Sequence, residues 1–150
     1  MPKPQKIDPE GLKLSNQLCF ATYAAALAFN RVYKPLLDPH GLTYPQYLVL
    51  LVLWEQDDVS LKTIGERLHL DSGTLTPLLK RLQTAGLIER KRHAGDERQI
   101  RVTLTTKGRE LKEPIAAARH QVACSTGLEA KEIKALKEEI DRLAAQLVAA

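Results

Sequence analysis

Two cysteines and a group of tyrosines are the residues of this chain best suited to chemistry. Cys19 sits in LSNQLCFATYAAALAFNRVYKPLL and Cys124 in AARHQVACSTG, far apart along the sequence. A thiol does redox chemistry as its thiolate, which needs a stabilised negative charge and access for the oxidant. The alternative role of a cysteine among apolar residues is that of a small hydrophobe. Cys19 is expected several residues inside a helix over about 13–35, beyond the helix N-terminal field, which fades within the first turn. Leu18 and Phe20 flank it, and no cation is adjacent. Tyrosine hydroxyls can supply the missing stabilisation by donating hydrogen bonds to sulfur. Tyr33 is fourteen residues further on; at 100° per step it falls within about 40° of the Cys19 face, but about 21 Å away along the axis. Tyr33 therefore cannot touch Cys19 of its own straight helix. An antiparallel copy from a second subunit brings the two together, and Tyr44, at the start of the next helix, can approach the same site. CxxC, HExxH and glycine-rich phosphate loops are absent from the sequence. The four histidines (His40, His69, His93, His120) are scattered and read as surface residues, so no metal or other cofactor is expected.

The elements that must hold these groups are mostly helical. Ser60 can cap a short helix whose Leu61, Ile64 and Leu68 share one face. Asp71 can cap a second, whose Leu75, Leu78, Leu79 and Leu82 form an apolar stripe ending at Gly86. Two short helices joined by a tight turn match the helix-turn-helix plan, in which the second helix enters the major groove of double-stranded DNA. Its outward residues Ser72, Thr74, Thr76, Pro77, Lys80 and Arg81 are candidates to meet bases and phosphates. Pro77 removes a backbone donor and presses on the carbonyl of Gly73, which predicts a kink rather than a break. Residues 87–92 and 99–104 read as two strands around the polar turn HAGDER, a β-hairpin or wing. Lys80, Arg81, Arg90, Lys91, Arg92, Arg98 and Arg101 place seven positive charges within 22 residues, opposed by Glu89, Asp96 and Glu97. Helix pair, hairpin and charge coincide, which favours DNA binding over an ordinary solvated face.

Thr43 and Gln46 form a capping-box pair with Leu42 and Tyr47 as its hydrophobic staple, starting a buried helix through Trp54. After the hairpin, Thr105 or Thr106 opens a helix reaching about Ser125 and bent at Pro114. Gly127 breaks the chain, and a last helix from about Glu129 to Val148 carries Ile133, Leu136, Ile140, Leu143 and Leu147 at a 3-4-3-4 spacing. That stripe can pack on its own chain or on a partner. Long apolar helices at both ends of a small DNA-binding core suit a two-fold dimer, which would set two recognition helices about 34 Å apart on a pseudo-palindromic operator.

At 150 residues with 44% hydrophobic content and a net charge of +4, the chain suits one globular domain with a real core. The N-terminal MPKPQKIDPEG is polar and proline-containing, as expected of a flexible segment over 1–12 rather than a signal peptide. The longest apolar run, 47–54, is too short to span a bilayer. A cytoplasmic protein is expected, and a reducing compartment argues against a permanent disulfide.

The motifs NQLCF at 16–20, YKPLLD at 33–38, LTYPQY at 42–47, LDSGTLTP at 70–77 and DER at 96–98 together resemble the organic-hydroperoxide-resistance regulators, the OhrR branch of the MarR family. The resemblance covers about 13–148. It implies a dimeric winged-helix repressor, not an enzyme, whose Cys19 is the peroxide-reactive thiol. Tyr33 and Tyr44 would be its hydrogen-bond donors across the dimer. Arg98 at the wing tip would enter the minor groove, with Asp96 helping to hold it and Arg90 and Arg92 nearby on the wing. Cys124 matches the resolving cysteine of two-cysteine members, which closes a disulfide with Cys19 of the other subunit.

The expected architecture is mainly α with a small β-hairpin: a winged helix-turn-helix in a single domain over 13–150. Its DNA-binding core covers about 44–106, and its dimerisation helices about 13–37 and 106–150. The expected activity is release of operator DNA on oxidation by an organic hydroperoxide. Three alternatives are a repressor answering a non-covalent aromatic ligand, with Cys19 merely packed, a thiol peroxidase in which Cys19 turns over, and a sequence-nonspecific architectural DNA protein.

Overall fold

The computed structural model of the chain describes residue 6 and residues 8–150. Its helices are α1 (Leu18–Leu37), α2 (Tyr44–Glu55), α3 (Leu61–Leu68), α4 (Ser72–Thr84), α5 (Thr106–Glu110), α6 (Lys112–Ser125) and α7 (Ala130–Ala149). Strands β1 (Val59–Ser60), β2 (Ile88–His93) and β3 (Asp96–Leu104) form one antiparallel sheet in the order β1-β3-β2. None of the described helices is long and apolar enough to cross a membrane.

Local signals set most boundaries. The Thr43–Gln46 capping box opens α2, with the Thr43 N–H donating to Gln46 Oε1 at 2.9 Å. Ser60 accepts from the Thr63 N–H at 3.1 Å and starts α3. Asp71 accepts from the Thr74 N–H at 2.7 Å and starts α4. Gly86 follows α4 with φ +75, the left-handed conformation that glycine adopts without steric cost. Despite Pro77, α4 runs unbroken. The core lies where α2, α3, α4 and the sheet meet. Leu50, Leu53, Ile64, Leu75, Leu79, Leu82, Ile88 and Val102 are all buried there, and Leu37 and Ile115 close it from α1 and α6.

Several sequence expectations need correction. Residues 13–17 are not helical. The chain makes two short 3-10 turns, Glu10–Leu12 and Leu14–Asn16, and the Gln17 carboxamide donates to the carbonyls of Gly11 (2.6 Å) and Lys13 (2.9 Å). That knot leaves Gln17 extended as the N-cap, so α1 begins at Leu18. Part of the segment expected to be flexible, from Asp8 to Leu12, is thus described as turn and short helix, and residues 1–5 and 7 lie outside the described residues. The second wing strand is longer than expected and the turn shorter: β2 keeps six residues shifted by one, and His93 pairs with Asp96 across Ala94 and Gly95, with an irregularity at Arg92/His93. The two-strand hairpin also gains β1, paired through Val59↔Val102 and Ser60↔Arg101. Finally, the helix expected to bend at Pro114 is two helices divided at Leu111. Proline cannot donate to the carbonyl four residues back and its ring crowds it; that residue is Glu110, the last of α5.

Gly108 is the tightest point of the fold. Its carbonyl accepts the Trp54 indole N–H at 2.9 Å and its N–H donates to Thr105 Oγ1 at 3.1 Å. A Cβ there would lie 2.1 Å from the Leu87 carbonyl oxygen and 3.1 Å from Leu104 Cδ2. Gly108→Ala is expected to lower unfolding free energy by about 1–3 kcal/mol in urea titrations. An unchanged urea midpoint would contradict the packing described.

Candidate functional site

Two candidate surfaces emerge, one for DNA and one for thiol chemistry. On the DNA side, α3 and α4 stand at the turn expected of a helix-turn-helix. Gly65 faces the backbone there: a Cβ would approach the Leu70 carbonyl oxygen to 2.8 Å. The buried stripe of α4 turns Ser72, Thr74, Pro77, Lys80 and Arg81 outward, whereas Thr76 is half-buried. Among the wing residues, Arg92, Asp96 and Arg98 are exposed and Arg90 is half-buried. The Arg90 Nε–H donates to Gln83 Oε1 at 2.7 Å, tying the wing to the end of α4. The Asp96 carboxylate accepts from the backbone N–H of Arg98 at 3.0 Å, so it shapes the wing tip through the main chain. At the wing root, Asp58 (φ 55) receives Arg101, whose Nε donates to its carboxylate at 3.0 Å.

On the thiol side, Cys19 is the second residue of α1, not a residue deep within it. The helix begins late because of the Gln17 turn, and this puts the sulfur in the first turn. The side chain is exposed, beside Leu18 and Phe20, which are 64% and 41% exposed. Tyr33 is buried near the other end of α1, with its ring 5.0 Å from that of Tyr44 and 5.3 Å from that of Tyr47. Tyr47 was read from the sequence only as a staple residue; its i, i+3 spacing from Tyr44 was the available signal. Burial pushes the Tyr33 phenol up, the neighbouring Tyr47 adds to this, and Arg119 partly opposes it. Burial also raises Tyr44, with Tyr33 contributing. Both hydroxyls therefore keep their protons at neutral pH and remain donors. Tyr33 and Tyr44 line a cleft of about 270 Å³ together with Asn30, Lys34 and Pro45.

Cys124 lies in the last turn of α6 and is exposed; neither cysteine is in a disulfide. The end of α6 meets α1 at Ala25 to Val32, further along α1 than Cys19. Beside this α1–α6 contact, across a separate cleft, runs α7, none of whose residues is buried; Leu136, Ile140 and Leu147 are 49%, 47% and 66% exposed. Among the described residues, no group of His, Cys, Asp or Glu side chains could hold a metal ion.

A helix-turn-helix joined to a three-stranded wing, with basic residues along both, defines a winged-helix DNA-binding regulator. The family profile described as transcriptional regulator SarA/Rot matches residues 31–115. The chain is 55% identical over 102 residues to the organic hydroperoxide resistance transcriptional regulator of Bacillus subtilis, covering 68% of this chain and 69% of that one. It is also 55% identical over 133 residues to the HTH-type transcriptional regulator TtmR of Methylorubrum extorquens, covering 89% of this chain and 67% of the relative. Among solved structures, reduced AbfR of Staphylococcus epidermidis bound to DNA matches with a TM-score of 0.78 and 40% identity, over 93% of this chain and 97% of that one. A disulfide-formed AbfR matches with a TM-score of 0.65 and 38% identity, over 90% and 95%. The chain belongs to the MarR family of winged-helix transcriptional regulators, in its organic-hydroperoxide-resistance branch.

The cap of the recognition helix carries a pH dependence. Hydrogen bonds from the backbone and side chain of Thr74 hold the Asp71 carboxyl below its ordinary value of 3.8. A lowered carboxyl contributes stability that is fully present above the ordinary value and is lost as pH falls through the lowered one. The stability advantage of the wild type over Asp71→Asn, followed by thermal unfolding, is expected to shrink as pH drops below 3.8. A difference that stays constant to the acid limit would contradict this assignment.

Proposed function

We propose that this protein is a homodimeric repressor that organic hydroperoxides switch off through Cys19. The observation that carries the reading is the placement of the thiol and the phenols at opposite ends of α1. Cys19 is exposed at its start, while Tyr33 and Tyr44 stand together as proton-bearing donors on a cleft near its end. One straight helix keeps the two sites about 21 Å apart, so a second, antiparallel copy is what brings Cys19 to the tyrosines. The uncovered apolar residues of α1 and α7 supply a surface for that copy, since contiguous exposed apolar patches mark interaction sites. The dimerisation segments are then about 13–37 and 106–150, and the DNA-binding core about 44–106.

In the reduced dimer, the recognition helices present Ser72, Thr74, Thr76, Pro77, Lys80 and Arg81 to the major grooves of a pseudo-palindromic operator. Arg90, Arg92 and Arg98, with Asp96 shaping the tip, carry the wings along the flanking backbone and minor groove. The Cys19 thiolate attacks the terminal oxygen of the hydroperoxide; the O–O bond breaks, sulfur is oxidised to sulfenic acid, and the alkoxide takes a proton and leaves as alcohol. The Cys124 thiol of the partner subunit condenses with the sulfenic acid, forming the S–S bond and releasing water. Bridged cysteines need Cα atoms within about 7 Å, which draws α6 of one subunit toward α1 of the other and re-aims the paired recognition helices. Affinity falls because each half-site supplies part of the phosphate contact.

Three variants test this. Cys19→Ser is expected to bind operator when reduced and to stay bound when tert-butyl hydroperoxide is added; release as in the wild type would exclude the thiol switch and leave a non-covalent ligand as inducer. Tyr33→Phe, which keeps the ring and removes the donor, is expected to slow Cys19 oxidation by about tenfold, seen as delayed capture of the sulfenic acid by dimedone. Arg98→Ala is expected to weaken operator binding and lower the salt dependence by about one phosphate contact; an unaltered slope would remove Arg98 from the interface.

A further inference from the structure

The two thiols stand at opposite ends of their helices. Cys19 is the second residue of α1, and Cys124 is the next to last of α6. A helix favours negative charge at its N-terminus and disfavours it at its C-terminus. Attack on an oxidised sulfur nevertheless requires a thiolate. Cys124 needs a base beside it, and the structure supplies one that the sequence reading left as a plain surface residue. His120 lies one turn earlier on α6, with its Nε2 3.7 Å from Cys124 Sγ. Imidazole is the side chain that accepts protons near neutral pH, and the cation it becomes is favoured at a helix C-terminus.

We propose that His120 is the base that activates Cys124 for the resolving step, an inference that rests on the two-cysteine switch described above. As Cys124 Sγ attacks the sulfenic sulfur of the partner's Cys19, His120 takes the thiol proton. The S–S bond forms, the S–O bond breaks, and the departing hydroxide receives the proton from the imidazolium and leaves as water. No further oxidant is consumed, because the peroxide has already been reduced at Cys19. The step follows the reaction with peroxide, once a sulfenic acid is within reach of Cys124. It gives His120 no part in the reaction with peroxide.

The test follows full-length dimers of wild type, His120→Ala and His120→Gln after a single addition of tert-butyl hydroperoxide, with dimedone trapping sulfenic acid and mass spectrometry counting disulfide. His120 is exposed, and operator binding by the reduced variants checks that they are folded. The expected result is Cys19 sulfenic acid formed at the wild-type rate in all three, with disulfide formation slowed by about tenfold or more in both variants. Free imidazole restores the rate in His120→Ala. Disulfide formation within about twofold of wild type, or a slow variant that imidazole does not rescue, would overturn the role of His120. A wild type that forms no Cys19–Cys124 disulfide, judged against Cys124→Ser, would instead overturn the two-cysteine reading, and this role with it.

Discussion

The stiffness of α1 is the constraint on which the rest depends. Twenty residues of unbroken helix hold Cys19 at one end and Tyr33 near the other, and hydrogen-bonded backbone at about 1.5 Å per residue cannot fold back to join them. Only the far end of that helix is fixed to the core, through Tyr33 and Leu37. Its first turns project Leu18, Phe20 and Tyr23 outward. Burial at one end keeps the tyrosines ordered and protonated, and exposure at the other leaves the sulfur open to an oxidant. The far end of α1 is also packed against the helix-turn-helix, because Tyr33 packs on Tyr44 and Tyr47 of α2, and α2 lies in the same core as α3 and α4.

The wing and the short helix α5 that follows it are tied into this body at several points. Trp54 binds Gly108, Asp57 accepts the Leu104 N–H at 2.9 Å, and Arg101 clasps Asp58. Gln83 links the end of the recognition helix to Arg90 on β2. These contacts join α2, the wing root and the end of α4 into one packed unit.

Much of this was legible in the sequence because it is encoded locally. The caps at Thr43, Ser60 and Asp71, the apolar stripe of α4 and the stop at Gly86 each depend on residues a few positions apart. What was not legible depends on distant partners or on competition between local signals. Strand β1 is two residues long and exists only because β3 pairs with it. The start of α1 falls later than expected because the Gln17 carboxamide holds the preceding stretch in 3-10 turns. That shift matters most, since it moves Cys19 from the body of a helix to its first turn. Pro114 was recognised as disruptive, yet its effect falls four residues upstream, at Glu110, where the lost hydrogen bond would have been. The His120–Cys124 pair was readable as an i, i+4 spacing, and passed unnoticed because each residue alone is undistinctive.

Subunit complementation tests the central claim most directly. Mixed dimers are prepared from a Cys19→Ser chain with Tyr33 intact and a Tyr33→Phe chain with Cys19 intact, and the rate of Cys19 oxidation by an organic hydroperoxide is measured. If the phenol of one chain serves the sulfur of the other, the mixed dimer oxidises like the wild type, because its single Cys19 faces an intact Tyr33. Oxidation as slow as in the Tyr33→Phe homodimer would mean that the sulfur draws on its own chain, and the account would fail.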